Sequence, residues 1–248
     1  MQASLDGKVA LVTGAARRLG AAIARRLHTA GASVVIHYRG AEEEAGKLEA
    51  ELNAARPGSA LKLKAELLAP IAPRSLISGA TERFGRLDLL VNNASAFYPT
   101  ALGEIEPAHW DDLIGSNLKA PMFLSQEAAP HLAKAQGSIV NVVDIHAERP
   151  LRGYPVYSIA KAGLAALTRA LALELAPAVR VNGVAPGAIA WPEDGQFDPA
   201  ERARVVATTP LARIGAPEDV AQAVLFLACA PFVTGQILAV DGGRSLHV

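Results

Sequence analysis

Short apolar runs alternate with longer amphipathic stretches from one end of the chain to the other. The runs Val9–Val12, Ser33–His37, Leu61–Lys64, Leu87–Val91, Ser138–Val143, Arg180–Val184 and Ile237–Val240 predict β-strands. Alanine-rich segments with helical spacing predict helices near Leu19–Ala30, Glu42–Ala55, Ala72–Phe84, Asn117–Ala133, Tyr157–Ala176 and Pro217–Ala228. Several of the strands are apolar at nearly every position, the pattern of a strand covered by helices on both faces. Regular β-α alternation then predicts an α/β fold: a doubly wound parallel sheet of about seven strands with right-handed crossovers. No break in composition marks a linker, so residues 1–248 are expected to form one domain. The least regular stretch, 185–210, contains Pro186, Gly187, Trp191, Pro192, Gly195 and Pro199. A long insertion at this end of a sheet is expected to be either a substrate loop or an ordinary surface loop.

Composition narrows the function classes. The 24 basic side chains match 24 acidic ones, which argues against the basic surface of a nucleic-acid or anionic-membrane protein. With 51% hydrophobic residues in a chain of 248, a core can form without disulfides or structural metal. The single cysteine, Cys229, excludes an internal disulfide and a cysteine-rich zinc site, and is expected to be a small buried side chain in a reducing compartment. The histidines lack metal-ligand spacing, so no metal is expected. Met1–Asp6 is polar and Val9–Thr13 is too short for a signal core. Val220–Val240 carries no charge, but Pro231 and Thr234-Gly235-Gln236 interrupt it, so no membrane span is expected.

The candidate chemistry begins at the first turn. Val9–Val12 runs into Thr13-Gly14-Ala15-Ala16-Arg17-Arg18-Leu19-Gly20, which opens a helix. Small residues between a first strand and a first helix let backbone amides approach a pyrophosphate at the positive helix end. Gly14 suits the tight turn and Gly20 suits close helix packing. The second strand ends His37-Tyr38-Arg39-Gly40, with no acid before Glu42. A site selective for NAD usually has Asp or Glu at this point, whereas cations accept a 2′-phosphate; Arg39 and Arg17 therefore favour NADPH. Further along, Tyr157 and Lys161 lie four apart and share a helical face. Asn92-Asn93-Ala94 follows the fourth strand, Asn117 opens the next helix, and Asn182-Gly183-Val184-Ala185-Pro186-Gly187 and Asp241-Gly242-Gly243 complete an ordered set.

These motifs together resemble the short-chain dehydrogenase/reductase family over essentially the whole chain. The resemblance implies a Rossmann-type sheet, a dinucleotide at the first turn and a catalytic set containing Asn117, Tyr157 and Lys161. Tyr157 would donate a proton, Lys161 would hold the nicotinamide ribose and acidify Tyr157, and Asn117 would support a proton-relay water. Thr13, Gly14, Arg17, Arg18, Leu19, Gly20, His37, Tyr38, Arg39, Asn93, Ala94, Pro186 and Gly187 would line the cofactor site. Glu66 stands where the family usually has Asp for the adenine. A homotetramer is also implied, with the helices near Asn117–Ala133 and Tyr157–Ala176 suited to helix-to-helix interfaces.

The departures from the family pattern are informative. The usual serine thirteen residues before the tyrosine is Asp144, the middle glycine of the phosphate loop is Arg18, and Ser95-Ala96-Phe97-Tyr98-Pro99-Thr100 follows Asn92-Asn93-Ala94. With His37-Tyr38-Arg39, these resemble the pteridine reductase branch, which reduces biopterin-like and folate-like pteridines. A ketone reductase needs a neutral donor for developing oxyanion charge, whereas a carboxyl beside Tyr157 suits protonation of a ring nitrogen. Phe97 is expected to stack on the heterocycle, Arg18 to contact both substrate and pyrophosphate, and Ser95, Tyr98 and Trp191 to line the pocket. In the coupled pair, Lys161 lowers the pKa of Tyr157 and Asp144 raises it. The alternatives are a ketoacyl-type carbonyl reductase and a catalytically silent NADPH-binding sensor or scaffold. The cytoplasm is the expected location.

Overall fold

The computed structural model of the chain describes residues 4–191 and 197–246. Seven strands form a single parallel sheet: β1 Val9–Val12, β2 Ser33–Tyr38, β3 Ala60–Lys64, β4 Leu89–Asn92, β5 Ser138–Val142, β6 Arg180–Pro186 and β7 Ile237–Val240. Their order is β3-β2-β1-β4-β5-β6-β7. The helices between them are α1 Arg18–Thr29, α2 Glu42–Ala55, α3 Ala72–Phe84, α4 Pro107–Ile114, α5 Ala120–Ala135, α6 Pro155–Glu174, α7 Pro199–Ala207 and α8 Pro217–Cys229.

Strand pleat divides the apolar residues between two cores. Ala10 and Val12 of β1, with Val34 and Ile36 of β2, face α1, α2 and α8. Val9 and Leu11, with Val35, face α3 and α5 on the other side. Successive side chains of a strand point to opposite faces, so a strand covered twice is apolar throughout, as the sequence pattern anticipates. Helix α6 has the length and apolarity of a membrane span, but 56% of its apolar window is buried in the fold.

Three differences from the sequence expectation have local causes. The helix expected from Asn117 begins ten residues earlier, as α4, and passes through a π-helical segment, Gly115–Lys119, into α5. Pro107 at the first helical position marked that start, while Gly115 and Ser116 obscured the periodicity through the join. The 185–210 stretch is partly regular: β6 continues to Pro186, and α7 occupies Pro199–Ala207. The Asp198 carboxylate accepts the Glu201 N–H at 2.8 Å and the Glu201 carboxylate accepts the Asp198 N–H at 3.1 Å, a reciprocal cap that starts α7. Pro192 and Gly195 lie outside the described residues. Cys229, expected to be buried, is only half-buried at the end of α8.

Leu90 sits at the middle of β4 with no exposed surface. Leu90→Ala should lower unfolding free energy by about 2–5 kcal/mol, from lost burial plus the cavity left behind. A urea titration with unchanged slope and a lowered midpoint is the expected result.

Candidate active site

The turn after β1 is pinned by side chains from two neighbouring strands. The Thr13 hydroxyl oxygen accepts the N–H groups of Asn93 (2.9 Å) and Ala94 (3.0 Å), tying β1 to β4. In return, the Asn93 amide donates to the carbonyls of Thr13 (2.8 Å) and Gly14 (3.2 Å). From β2, His37 accepts the Gly14 N–H on its ring Nδ1 at 3.0 Å and the Ala15 N–H on its backbone carbonyl at 2.9 Å. Gly14 has φ +62°, and a Cβ at Gly20 would lie 2.2 Å from the Gly14 carbonyl oxygen, so neither position accommodates a side chain in this geometry.

The amino end of α1 therefore abuts a closely held turn. Its cap residue, Arg17, makes no side-chain capping bond, and the first N–H groups of a helix have no intrahelical partner. Arg18, Leu19 and Gly20 line a cavity of about 750 Å³ at the carboxyl edge of the sheet. Uncapped amides at a positive helix end fit a pyrophosphate.

Most of the residues expected at the site line this cavity: Gly14, Arg17, Arg18, Leu19, Gly20, His37, Tyr38, Arg39, Glu66, Asn93, Ala94, Ser95, Asp144, Tyr157, Lys161, Pro186 and Gly187. Thr13, Phe97, Asn117 and Trp191 are not among its lining residues; each contacts one that is. Phe97 stacks on Tyr154 with ring centres 4.8 Å apart and meets Tyr157 edge-on at the same separation. Asn117 is fully buried, donates to the Ala96 and Leu113 carbonyls, and accepts the Ser95 hydroxyl at 2.7 Å. Trp191 offers its carbonyl to Arg18 and its indole to Arg202. Tyr98 is bonded to Asp112 at 3.0 Å, an anchor for the loop after β4, and its phenol is raised to about 12 by burial and that carboxylate. The sequence reading missed Glu44, Ser116, Ile189 and Ala190 on the wall. Glu44 lies in the first turn of α2, and its approach to Arg17 joins segments far apart in the chain, which no local pattern signals.

Two arginines stand at the expected rim. Arg39 lies 3.7 Å from Glu66, and Arg17 lies 3.6 Å from Glu44, in open ion pairs. Such exposed pairs contribute about 0–1 kcal/mol, so a phosphate can take over either guanidinium at small cost. Arg18 has φ +51°, in the left-handed region that favours glycine. Its guanidinium donates to the carbonyls of Ala190 and Trp191, both at 3.1 Å, joining the phosphate turn to the segment after β6.

Across the cavity, Tyr157 donates its hydroxyl proton to Asp144 Oδ2 at 2.8 Å, while Asp144 Oδ1 accepts the His146 N–H at 2.8 Å. Lys161, buried beneath them, donates to the Val142 carbonyl at 2.9 Å. Burial first, then the charge and hydrogen bond of Asp144, hold the Tyr157 phenol well above its ordinary range. The phenol is thus raised, where an acidified one was expected from Lys161. Burial lowers Lys161 itself to about 8, with Asp144 pulling the other way. Among the described residues, no group of three or more His, Cys, Asp or Glu side chains is placed to hold a metal.

Three proteins of similar sequence carry the names of two reductases and a dehydrogenase. A family profile described as enoyl-(acyl carrier protein) reductase matches residues 14–245. Pteridine reductase 1 of Leishmania tarentolae is 41% identical, covering 99% of this chain and 99% of its own length. A protein of Streptomyces violaceoruber named granaticin polyketide synthase putative ketoacyl reductase 2 is 40% identical, with 97% of each chain covered. The 3β-hydroxysteroid dehydrogenase 1 of Eggerthella lenta is 36% identical over 100% of this chain and 97% of its own.

The depressed Lys161 has a definite signature in stability. Between pH 8 and its ordinary 10.5 the unfolded chain holds a proton that the folded chain has released. The contribution of Lys161 to stability therefore rises with pH across that window. Urea titrations of the protein without bound nucleotide should show this rise between pH 8 and 10, and Lys161→Met should abolish it. A parental and a Lys161→Met curve of the same shape would contradict the assignment.

Proposed function

The chain belongs to the short-chain dehydrogenase/reductase family of oxidoreductases, and we propose that it uses NADPH to reduce a C=N bond of a pteridine, of the biopterin, dihydropteridine or dihydrofolate type. The observation that carries this reading is the hydrogen bond from Tyr157 to Asp144. A carboxyl group stands where a carbonyl reductase needs a neutral donor to an oxyanion. The 41% identity to a pteridine reductase supports the same substrate class.

When bound, the reduced nicotinamide supplies a hydride to the carbon of the C=N bond. The chain's task is to bring a proton to the nitrogen. Tyr157 alone is a reluctant acid, since burial and Asp144 both hold its proton in place. Release becomes favourable when Asp144 carries a proton of its own. As the Tyr157 proton passes to the substrate nitrogen, the Asp144 proton moves to the phenol oxygen. Tyr157 ends neutral, Asp144 ends as a carboxylate stabilised by the His146 N–H, and water restores the lost proton. Proton delivery therefore requires the pair to hold both protons. Lys161, held by the Val142 carbonyl, would bind the nicotinamide ribose hydroxyls. Ser95, linked to Asn117, would meet the polar edge of the substrate.

A second reading, a ketoacyl-type carbonyl reductase, draws on the 40% identity to such an enzyme and on the neutral Ser95 hydroxyl at the cavity wall. Oxidation of NADPH followed at 340 nm with dihydrobiopterin, dihydrofolate and a ketoacyl thioester separates the two. The proposal extends to a cytoplasmic homotetramer; the half-exposed Phe123 on α5 and Ile159 on α6 are apolar surface suited to a helix-to-helix contact.

Asp144→Asn keeps the size of the side chain and removes its exchangeable carboxyl proton. It should cut pteridine turnover by roughly 10²–10⁴-fold and leave NADPH affinity almost unchanged. Parental turnover with the parental pH profile would remove Asp144 from proton delivery. For the cofactor, Arg39→Asp should weaken NADPH by about one to two decades, since an arginine–phosphate hydrogen bond contributes roughly 1.5–3 kcal/mol, and should improve NADH. Equal use of both cofactors by the unaltered protein would defeat the preference.

A further inference from the structure

The cofactor edge of the sheet contains a buried histidine that is not free to bind a ligand. His37 is the fifth residue of β2 and only 2% exposed. Its ring Nδ1 accepts the Gly14 N–H at 3.0 Å, its backbone carbonyl accepts the Ala15 N–H at 2.9 Å, and its ring Nε2 lies 3.2 Å from the Ala65 carbonyl oxygen. A neutral imidazole has one acceptor nitrogen and one N–H donor. An amide N–H at Nδ1 and a carbonyl at Nε2 leave one consistent tautomer, with the proton on Nε2. Burial also holds the ring below its ordinary 6.5, so the neutral form is the resident one.

From this geometry we infer that His37 is a positioning residue: its neutral ring locks the phosphate turn to the ends of β2 and β3, and so sets the direction in which the amides of α1 meet the dinucleotide. The Gly14 and Ala15 amides are turned back toward β2, which leaves those at the start of α1 for the pyrophosphate. Through Ala65, next to Glu66, the same ring ties the phosphate turn to the edge where Arg39 stands. Asn93 holds the turn's carbonyls from the β4 side, so His37 completes a clamp on both polar faces of the peptide chain at Gly14. This inference rests on the dinucleotide reading of the cavity.

The test compares three variants by titrating NADPH and following its dihydronicotinamide fluorescence. In His37→Asn the Oδ1 acceptor lies two bonds from Cβ, as Nδ1 does, so the bond from Gly14 N–H can persist. In His37→Gln the amide reaches toward Ala65 but leaves no acceptor at Gly14, and His37→Leu removes both. NADPH affinity should fall at least tenfold in the Leu and Gln variants and stay within threefold in the Asn variant. Variants that all bind like the parent, or an Asn variant as weak as Leu, would overturn the inference. An independent measurement uses the unaltered protein: ¹⁵N NMR of His37 should show Nδ1 unprotonated and Nε2 protonated, with scalar coupling from the Gly14 amide to Nδ1. A protonated Nδ1 would equally overturn it. A parent protein that binds neither NADPH nor NADH would instead sink the dinucleotide reading, and this inference with it.

Discussion

Every feature of the site depends on one constraint: a sheet with both faces apolar has to be covered on both sides. Helices can cover it only by returning beneath the strands, which makes the strands parallel and brings their carboxyl ends to one edge. The chain first winds outward from β1 through β2 to β3, then crosses to β4 and winds the other way. Between β1 and β4 the connections leave in opposite directions and open a crevice. Thr13, Asn93 and Ala94 stand at that point, and their mutual hydrogen bonds close the sheet's ends without filling the crevice. Asp144, Gly187, Arg39 and Glu66 follow from the same geometry, each lying just beyond the end of its strand.

Within this crevice, burial decides the chemistry more than charge does. Lys161 and Tyr157 lie close enough for attraction, with the ammonium 5.7 Å from the ring centre. Simple pairing would make the phenol more acidic and the amine more basic. Both shift the opposite way because each loses water, and a buried ion costs more than a neighbour of opposite sign returns at this distance. Asp144 completes the inversion by accepting a hydrogen bond from the phenol directly. The result is a neutral phenol whose proton is firmly held.

Arg18 shows how far the site tolerates a locally unfavourable residue. A left-handed backbone costs a bulky side chain roughly 1–2 kcal/mol, and glycine would avoid it. The position is nevertheless the one from which a guanidinium at the start of α1 reaches the segment after β6, as its bonds to the Ala190 and Trp191 carbonyls demonstrate. Gly14 and Gly20 have no such freedom: Gly14 has a positive φ and lies tight against Ala94, and backbone atoms of the turn occupy the space that a Cβ at Gly20 would need.

The strand and helix order was legible in the sequence because pleat and helical period depend on neighbours in the chain. The starts of α4 and α7 were missed, although Glu106-Pro107 and the Asp198-Pro199-Ala200-Glu201 cap carry local signals for them, because glycine and proline nearby broke the helical period. Motif order placed Asp144, Tyr157 and Lys161 together before any coordinates. What it left open was where side chains separated by long stretches of sequence meet. Phe97 packs on Tyr154 rather than standing on the cavity wall, and Asn117 is engaged with Ser95 and main-chain carbonyls. His37 lines the cavity as its motif suggested, but its ring nitrogen is engaged by the Gly14 N–H, a contact that no local pattern announced. The sequence by itself determined the fold, the edge on which the site lies and the types of residue that form it. Only the tertiary structure decided which of those residues reach the cavity and which proton each holds, because burial and hydrogen bonding sum contributions from segments that meet only when the chain is folded.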